Sequence, residues 1–90
     1  MAEVVDNPAR HRFELSENGA LAYADYELEG AVMAVPHVVA DPALRGTGAA
    51  GRLMEGVLAA IRARGLKIDP ICPYAAAYLQ RHPEHADLRA

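Results

Sequence analysis

Residues 37–58, HVVADPALRGTGAAGRLMEGVL, place an extended run, a turn, a glycine-rich loop and the start of an apolar-periodic segment in one short window. Such an order builds an anion site. A helix opens with four backbone N–H groups that lack intrahelical partners, and its N-terminus carries a partial positive charge. A loop that lets a ligand reach those groups holds phosphate. Gly46 and Gly48 lack the Cβ that would obstruct the approach, and Arg45 and Arg52 add formal positive charge. Two further residue types could react. His37 stands at the end of the extended run, where an imidazole can act as a general base. Cys72 directly precedes Pro73, which is suited to the first position of a helix. A thiol there would face the positive end of the helix and be favoured as the thiolate, the form that attacks a thioester. The alternative is an inert cysteine filling core volume.

Spacing separates the phosphate ligands that such a loop could take. A nucleoside-triphosphate loop needs Lys followed by Ser or Thr after its last glycine, and neither is present. The dinucleotide pattern G-x-G-x-x-G is literally matched by Gly46, Gly48 and Gly51, with Asp69 18 residues further on. In that fold, however, the first glycine leaves the strand directly, whereas Asp41 to Arg45 intervene here. Ninety residues are also too few for two mononucleotide-binding halves.

The third ligand is coenzyme A. The string LRGTGAAGRLM, entering a helix from a strand, resembles the pyrophosphate-binding motif Q/R-x-x-G-x-G/A of the GNAT superfamily of acyltransferases. Ala43 stands at the Gln/Arg position, and Gly46 and Gly48 at the two glycines. ADPALRGTG, the CPY and YLQRHPE together are similar, in the right order, to a miniature branch of about ninety residues. The chain is therefore identified as a member of that superfamily. Where the miniature branch carries His-Thr-Glu-Val, this chain has His37, Val38, Val39 and Ala40, so the glutamate is replaced by Val39.

The resemblance implies acetyl-CoA as cosubstrate. Arg45, Gly46, Thr47, Gly48, Ala49 and Ala50 would hold its pyrophosphate, and Val38, Val39 and Ala40 would pair by backbone with its pantetheine arm. Cys72, matched by the same cysteine in the miniature branch, and His37 are the catalytic candidates, and the acceptor is an amine on a protein or peptide. Transfer would run directly to that amine or through an acetylated Cys72. A coenzyme A binding or interaction module without turnover is the alternative reading, favoured by the loss of the glutamate. Full-size relatives shape the acceptor site with two helices after the first strand. No room for them exists between Glu17 and Ala20.

The elements that must position these residues follow from periodicity. Phe13 and Leu15 alternate with Arg12 and Glu14, giving a strand over 11–16, and Asn18-Gly19 is a turn. Across 20–28, Ala20, Ala22, Ala24, Tyr26 and Leu28 share one face of a second strand. Residues 31–40 read as a third strand, in which Pro36 signals a bulge or an edge. Leu53, Met54, Val57, Leu58 and Ile61 trace the apolar stripe of a helix from Thr47 or Gly48 to Arg64, stopped by Gly65. A fourth strand over 66–71 would return beside the third, and a short helix follows Pro73. The expected fold is α/β, a mixed sheet of about four strands with one main helix after the glycine loop and a short C-terminal helix. A single domain spans 1–90, with 1–9 a flexible N-terminus.

Composition fits that reading. A hydrophobic content of 52% supplies one core, and the net charge of −3 argues against general nucleic-acid binding. Residues 1–30 hold seven acidic side chains against Arg10 and Arg12, while 31–90 hold five against seven basic, so the basic surplus lies with the glycine loop. His82 and His85 are separated by the helix-breaking Pro83, and no Cys/His spacing suits a metal. Tyr74 and Tyr78 share a helix face as packing residues. A lone cysteine and the absence of a signal core or apolar span place the chain in the cytoplasm, off the membrane, as a monomer or weak dimer.

Overall fold

The computed structural model describes residues 3–90. Five strands form one sheet in chain order: β1 (Val4–Asn7), β2 (Arg12–Glu17), β3 (Ala20–Glu29), β4 (Val32–Ala40) and β5 (Lys67–Asp69). The first four make an antiparallel meander, and β5 joins β4 in parallel after the crossover through helix α1 (Ala49–Ala63). Helix α2 (Pro73–Arg81) and a terminal 3-10 segment (Pro83–Leu88) close the chain. No helix among the described residues is long and apolar enough to cross a membrane.

The local rules are visible at each junction. Asn18 and Gly19 both adopt positive φ, 52° and 74°, as the two-residue turn between Glu17 and Ala20 requires. Across β2 and β3 a large residue faces a small one: Phe13 opposes Ala24 and Leu15 opposes Ala22. All four are buried, together with Tyr26, the α1 stripe Leu53, Met54, Val57, Leu58 and Ile61, and Ala75 and Leu79 of α2. Leu28, read as sharing a face of β3 with Ala22, Ala24 and Tyr26, is 54% exposed.

The sheet has one strand more than the sequence reading gives it. The segment expected to be flexible, 1–9, contains β1, paired with β2 from Val4↔Leu15 to Asn7↔Arg12. Two devices hold it. Gly56 in α1 leaves a notch that the Val4 side chain fills, since a Cβ there would run into it. Asp6 then accepts a hydrogen bond from Tyr26 Oη at 2.7 Å and an ion pair from Arg64 at 2.8 Å. Burial first, and then the bond to Asp6, push the Tyr26 phenol up to about 12. The connection after the first strand is accordingly the single turn Pro8–Arg10, not the segment between Glu17 and Ala20.

Pro36 marks a bulge. The β3–β4 register shifts between Asp25↔His37 and Glu27↔Ala34, so Val35 and Pro36 together oppose Tyr26. An extra residue without an N–H bends β4 where no ladder bond is lost. Beyond Ala34↔Asp69 the β4–β5 ladder ends; Cys72 N still donates to Val35 O, and past Val35 no backbone bond reaches β4 on that side among the described residues.

Candidate cofactor and acyl-transfer site

The exposed edge of β4 is set by hydrogen-bond alternation. Asp41 N donates to Leu21 O at 3.0 Å, so 21:41 is a bonded pair, and by alternation 23:39 and 25:37 are as well. The intervening Val38 and Ala40 therefore direct their N–H and C=O groups away from β3, toward the side that β5 has left. Val39 points its backbone groups into the sheet and leaves its side chain 41% exposed. Of the three residues expected to pair with a pantetheine arm, Val38 and Ala40 have backbone groups without a partner among the described residues.

This edge leads into the glycine loop. Asp41 caps the short turn Pro42–Leu44, accepting from Ala43 N at 2.9 Å. Arg45 N donates to Pro42 O and Thr47 N to Leu44 O. Thr47 Oγ1 donates to Leu44 O at 2.6 Å and accepts from Ala49 N at 3.2 Å. Gly46 and Gly48 sit at φ 76° and 82°, values that an L side chain resists. The amides of Arg45, Thr47 and Ala49 are thus used within the loop. Those of Gly46, Gly48, Ala50 and Gly51 take no partner among the described residues. Gly48 is the N-cap of α1, so the free amides cluster at the positive end of a 15-residue helix.

The two arginines beside the loop divide their work. Arg45 is exposed and makes no ion pair among the described residues. Arg52 is not a free cation. Its Nη2 and Nε meet Glu17 at 2.5 and 2.8 Å, and its Nη1 donates to Thr47 O at 3.0 Å. The bond from Arg52 holds the Glu17 carboxyl below the usual range. The sequence gives no sign of this pair, since the partners lie 35 residues apart.

Cys72 is the N-cap of α2, with Pro73 in the first turn, as the sequence reading expects. Its backbone N–H bonds Val35 O at 2.9 Å, tying the start of α2 to the β4 bulge. The side chain is 8% exposed within the hydrophobic cluster and makes no cap hydrogen bond. His37 faces solvent from β4, with Nδ1 3.5 Å from Asp25 Oδ2, across from it on β3. Arg10, His11, Asp25, Tyr26, Glu27, Pro36 and His37 line a cleft of about 300 Å³ there. No hydrogen bond joins His37 to Cys72.

A second polar cluster, unread in the sequence as a unit, lies along α1. The Tyr78 hydroxyl donates to Glu55, and His85 Nε2 sits 3.1 and 3.2 Å from the two Glu55 oxygens. Tyr78 stacks on His82 with ring centroids 4.0 Å apart, and His82 approaches Glu84 at 3.4 Å. The Tyr78 hydroxyl, then His85, hold Glu55 below its ordinary value, while burial and Glu55 raise Tyr78. Tyr78 therefore packs, as expected of it, and also donates. The i, i+4 spacing of Tyr74 and Tyr78, whose ring centroids lie 6.3 Å apart, was the legible part.

Comparison with known proteins agrees with this architecture. No curated protein matches the chain in sequence. The fold resembles the solution structure of a GCN5-like protein from Staphylococcus aureus, provisionally assigned as an N-acetyltransferase. The TM-score is 0.71 at 22% identity, over 98% of this chain and 87% of that one. The family model for GCN5-related N-acetyl-transferase matches residues 12–88, from the start of β2 to the end of the last 3-10 segment. The chain belongs to the GCN5-related N-acetyltransferase family.

Proposed function

We propose that this protein binds acetyl-CoA and transfers its acetyl group to an amine on a protein or peptide. One observation carries the reading. The backbone of Val38 and Ala40, unpaired on that side among the described residues, continues into a loop whose Gly46, Gly48 and Ala50 amides have no partner among them either, making one track of donors and acceptors. A pantetheine arm, with its amides, would add to β4 as a strand does, and a pyrophosphate would take the loop amides. The acetyl thioester is the chemistry the cosubstrate supplies.

Acceptor chemistry belongs to the outer side of β4. With only Pro8–Arg10 after the first strand, the sheet face carrying His37 is open to a macromolecular amine. His37, beside Asp25, would take the proton that the amine sheds on acylation. Cys72 supports a second route. Its Sγ would accept the acetyl group as the coenzyme thiol leaves, then pass it to the amine and regain its proton. Its burial, and the lack of any bond to His37, equally support a binding module without turnover.

Intact-mass spectrometry after mixing with acetyl-CoA and a lysine-containing peptide tests these readings. Peptide acetylation that persists in Cys72→Ser and falls in His37→Ala is the direct route. A stoichiometric adduct on Cys72, with transfer lost in Cys72→Ser, is the acyl-enzyme route. Coenzyme binding with neither product removes the transferase and leaves the module.

A further inference from the structure

The Glu17–Arg52 pair stands next to the glycine loop, outside the buried hydrophobic cluster. Glu17 ends β2 one residue before the Asn18-Gly19 turn, Arg52 lies in the first turn of α1, and the guanidinium reaches Thr47 O in the loop. We propose that Glu17 and Arg52 are positioning residues that preset the glycine loop for a pyrophosphate, and that Arg52 does not itself bind the phosphate; this rests on the acetyl-CoA reading. The geometry argues against direct contact. Two of the three donor contacts of the guanidinium go to a carboxylate and the third to a backbone carbonyl, and its charge is offset by Glu17. Held at its carbonyl, Thr47 keeps its amide turned to Leu44 and its hydroxyl on Ala49, which leaves the amides of Gly46 and Gly48 outward. Gly48 is part of the same device, because a Cβ there would lie 3.1 Å from Arg52 Nη1.

Direct binding and positioning predict opposite signs for one substitution. Glu17→Gln releases the Arg52 charge. If Arg52 were a phosphate ligand, coenzyme A would then bind more tightly. If the pair positions the loop, the loop must be ordered on binding, and coenzyme A binds about tenfold more weakly, the cost of fixing about one backbone residue. Pantetheine, which lacks the pyrophosphate, should show no change, a distinction that a general loss of structure would not produce. Calorimetry with coenzyme A and with pantetheine on the unsubstituted protein, Glu17→Gln and Arg52→Lys reads this. Arg52→Lys can reach Glu17 or Thr47 but not hold both, so it should fall between the other two. Tighter or unchanged coenzyme A binding in Glu17→Gln overturns the proposal. No coenzyme A binding by the unsubstituted protein instead sinks the acetyl-CoA reading. The clamp is then judged by amide hydrogen exchange without ligand: faster exchange at Thr47 and Ala49 in Glu17→Gln supports it, and unchanged exchange overturns it.

Discussion

At its first turn α1 borders the glycine loop, where the amides of Gly46, Gly48, Ala50 and Gly51 have no partner among the described residues. One turn further on, at Glu55, the same helix borders α2 and the terminal 3-10 segment, where Tyr78 and His85 both use the carboxylate. Both regions are polar and both include arginine, histidine or carboxylate groups. They differ in whether hydrogen-bonding capacity is spent. Unpaired buried donors are costly, so a folded chain rarely leaves them except where a ligand or water completes them. The loop avoids that cost by being exposed, which also makes it accessible. The Glu55 cluster is self-contained except for the buried His85 Nδ1, which is an acceptor without a donor among the described residues when Nε2 carries the proton. One side of α1 is arranged to bind; the other holds the C-terminal elements in place.

Gly48→Val should break the comparison hardest. Its φ of 82° is strained for any β-branched residue, by about 1–3 kcal/mol, and the new side chain would push on Arg52. The loop relieves the strain by abandoning its conformation, so coenzyme A affinity falls by about fivefold to a hundredfold. Calorimetry measures the loss. Thermal unfolding should change little, because the loop is exposed; a large drop in melting temperature with unchanged affinity would reverse the assignment.

Glu55→Ala is the matching substitution on the closed side. It leaves the Tyr78 hydroxyl and His85 Nε2 without their acceptor at a half-exposed site, and should destabilise the protein by about 0.5–1.5 kcal/mol, read by urea unfolding. Coenzyme A affinity should stay the same. A variant that unfolds normally but binds coenzyme A poorly would make the Glu55 cluster part of the ligand site.

A smaller effect is expected at Arg45, the loop cation that is free of ion pairs among the described residues. Arg45→Ala should weaken coenzyme A by no more than about fivefold, in keeping with an exposed charge, and the difference should shrink in high salt. Loss of affinity that persists at high salt would mean that Arg45 packs against the ligand instead of acting through its charge.

What could be read from the chain divides in the same way. The glycine loop, the helix behind it and the capping Cys72-Pro73 step are local patterns, and local geometry placed them: α1 runs Ala49–Ala63 and Cys72 caps α2. Pro36 gave the bulge because a missing N–H constrains strand pairing wherever the strand goes. The expected fourth strand, 66–71, shrank to Lys67–Asp69, since β4 bends away after Ala34. β1 was missed because VVDN has almost no alternation to read. Its place depends on Gly56, over 50 residues away, whose missing side chain admits Val4. Arg52 was legible as a charge beside the loop, but Glu17 as its partner was not. Long-range pairing requires the fold, and the β2–β3 turn is what brings Glu17 there.

The smallest effect is the acid dependence of the closed side. The Tyr78 hydroxyl, with His85 behind it, keeps the Glu55 carboxyl below the ordinary glutamate value of about 4.3. A carboxyl depressed in the folded state contributes stability above its unfolded value and loses it as pH falls through the folded value. Glu55→Gln retains an acceptor oxygen for Tyr78 but has no charge to titrate. Glu14, Glu17, Glu84 and Asp87 are also held low, so the whole protein should weaken in acid, but that shared slope cancels between the two variants. Followed downward from about pH 5, the difference in melting temperature between the unsubstituted protein and Glu55→Gln should therefore close as the pH falls below about 4.3. The Glu55 side chain is half exposed, so the difference is small and salt reduces it further. A gap that stays constant to pH 3 would show that Glu55 acts only as a neutral acceptor, and the closed side of α1 would then be held by hydrogen bonds without help from charge.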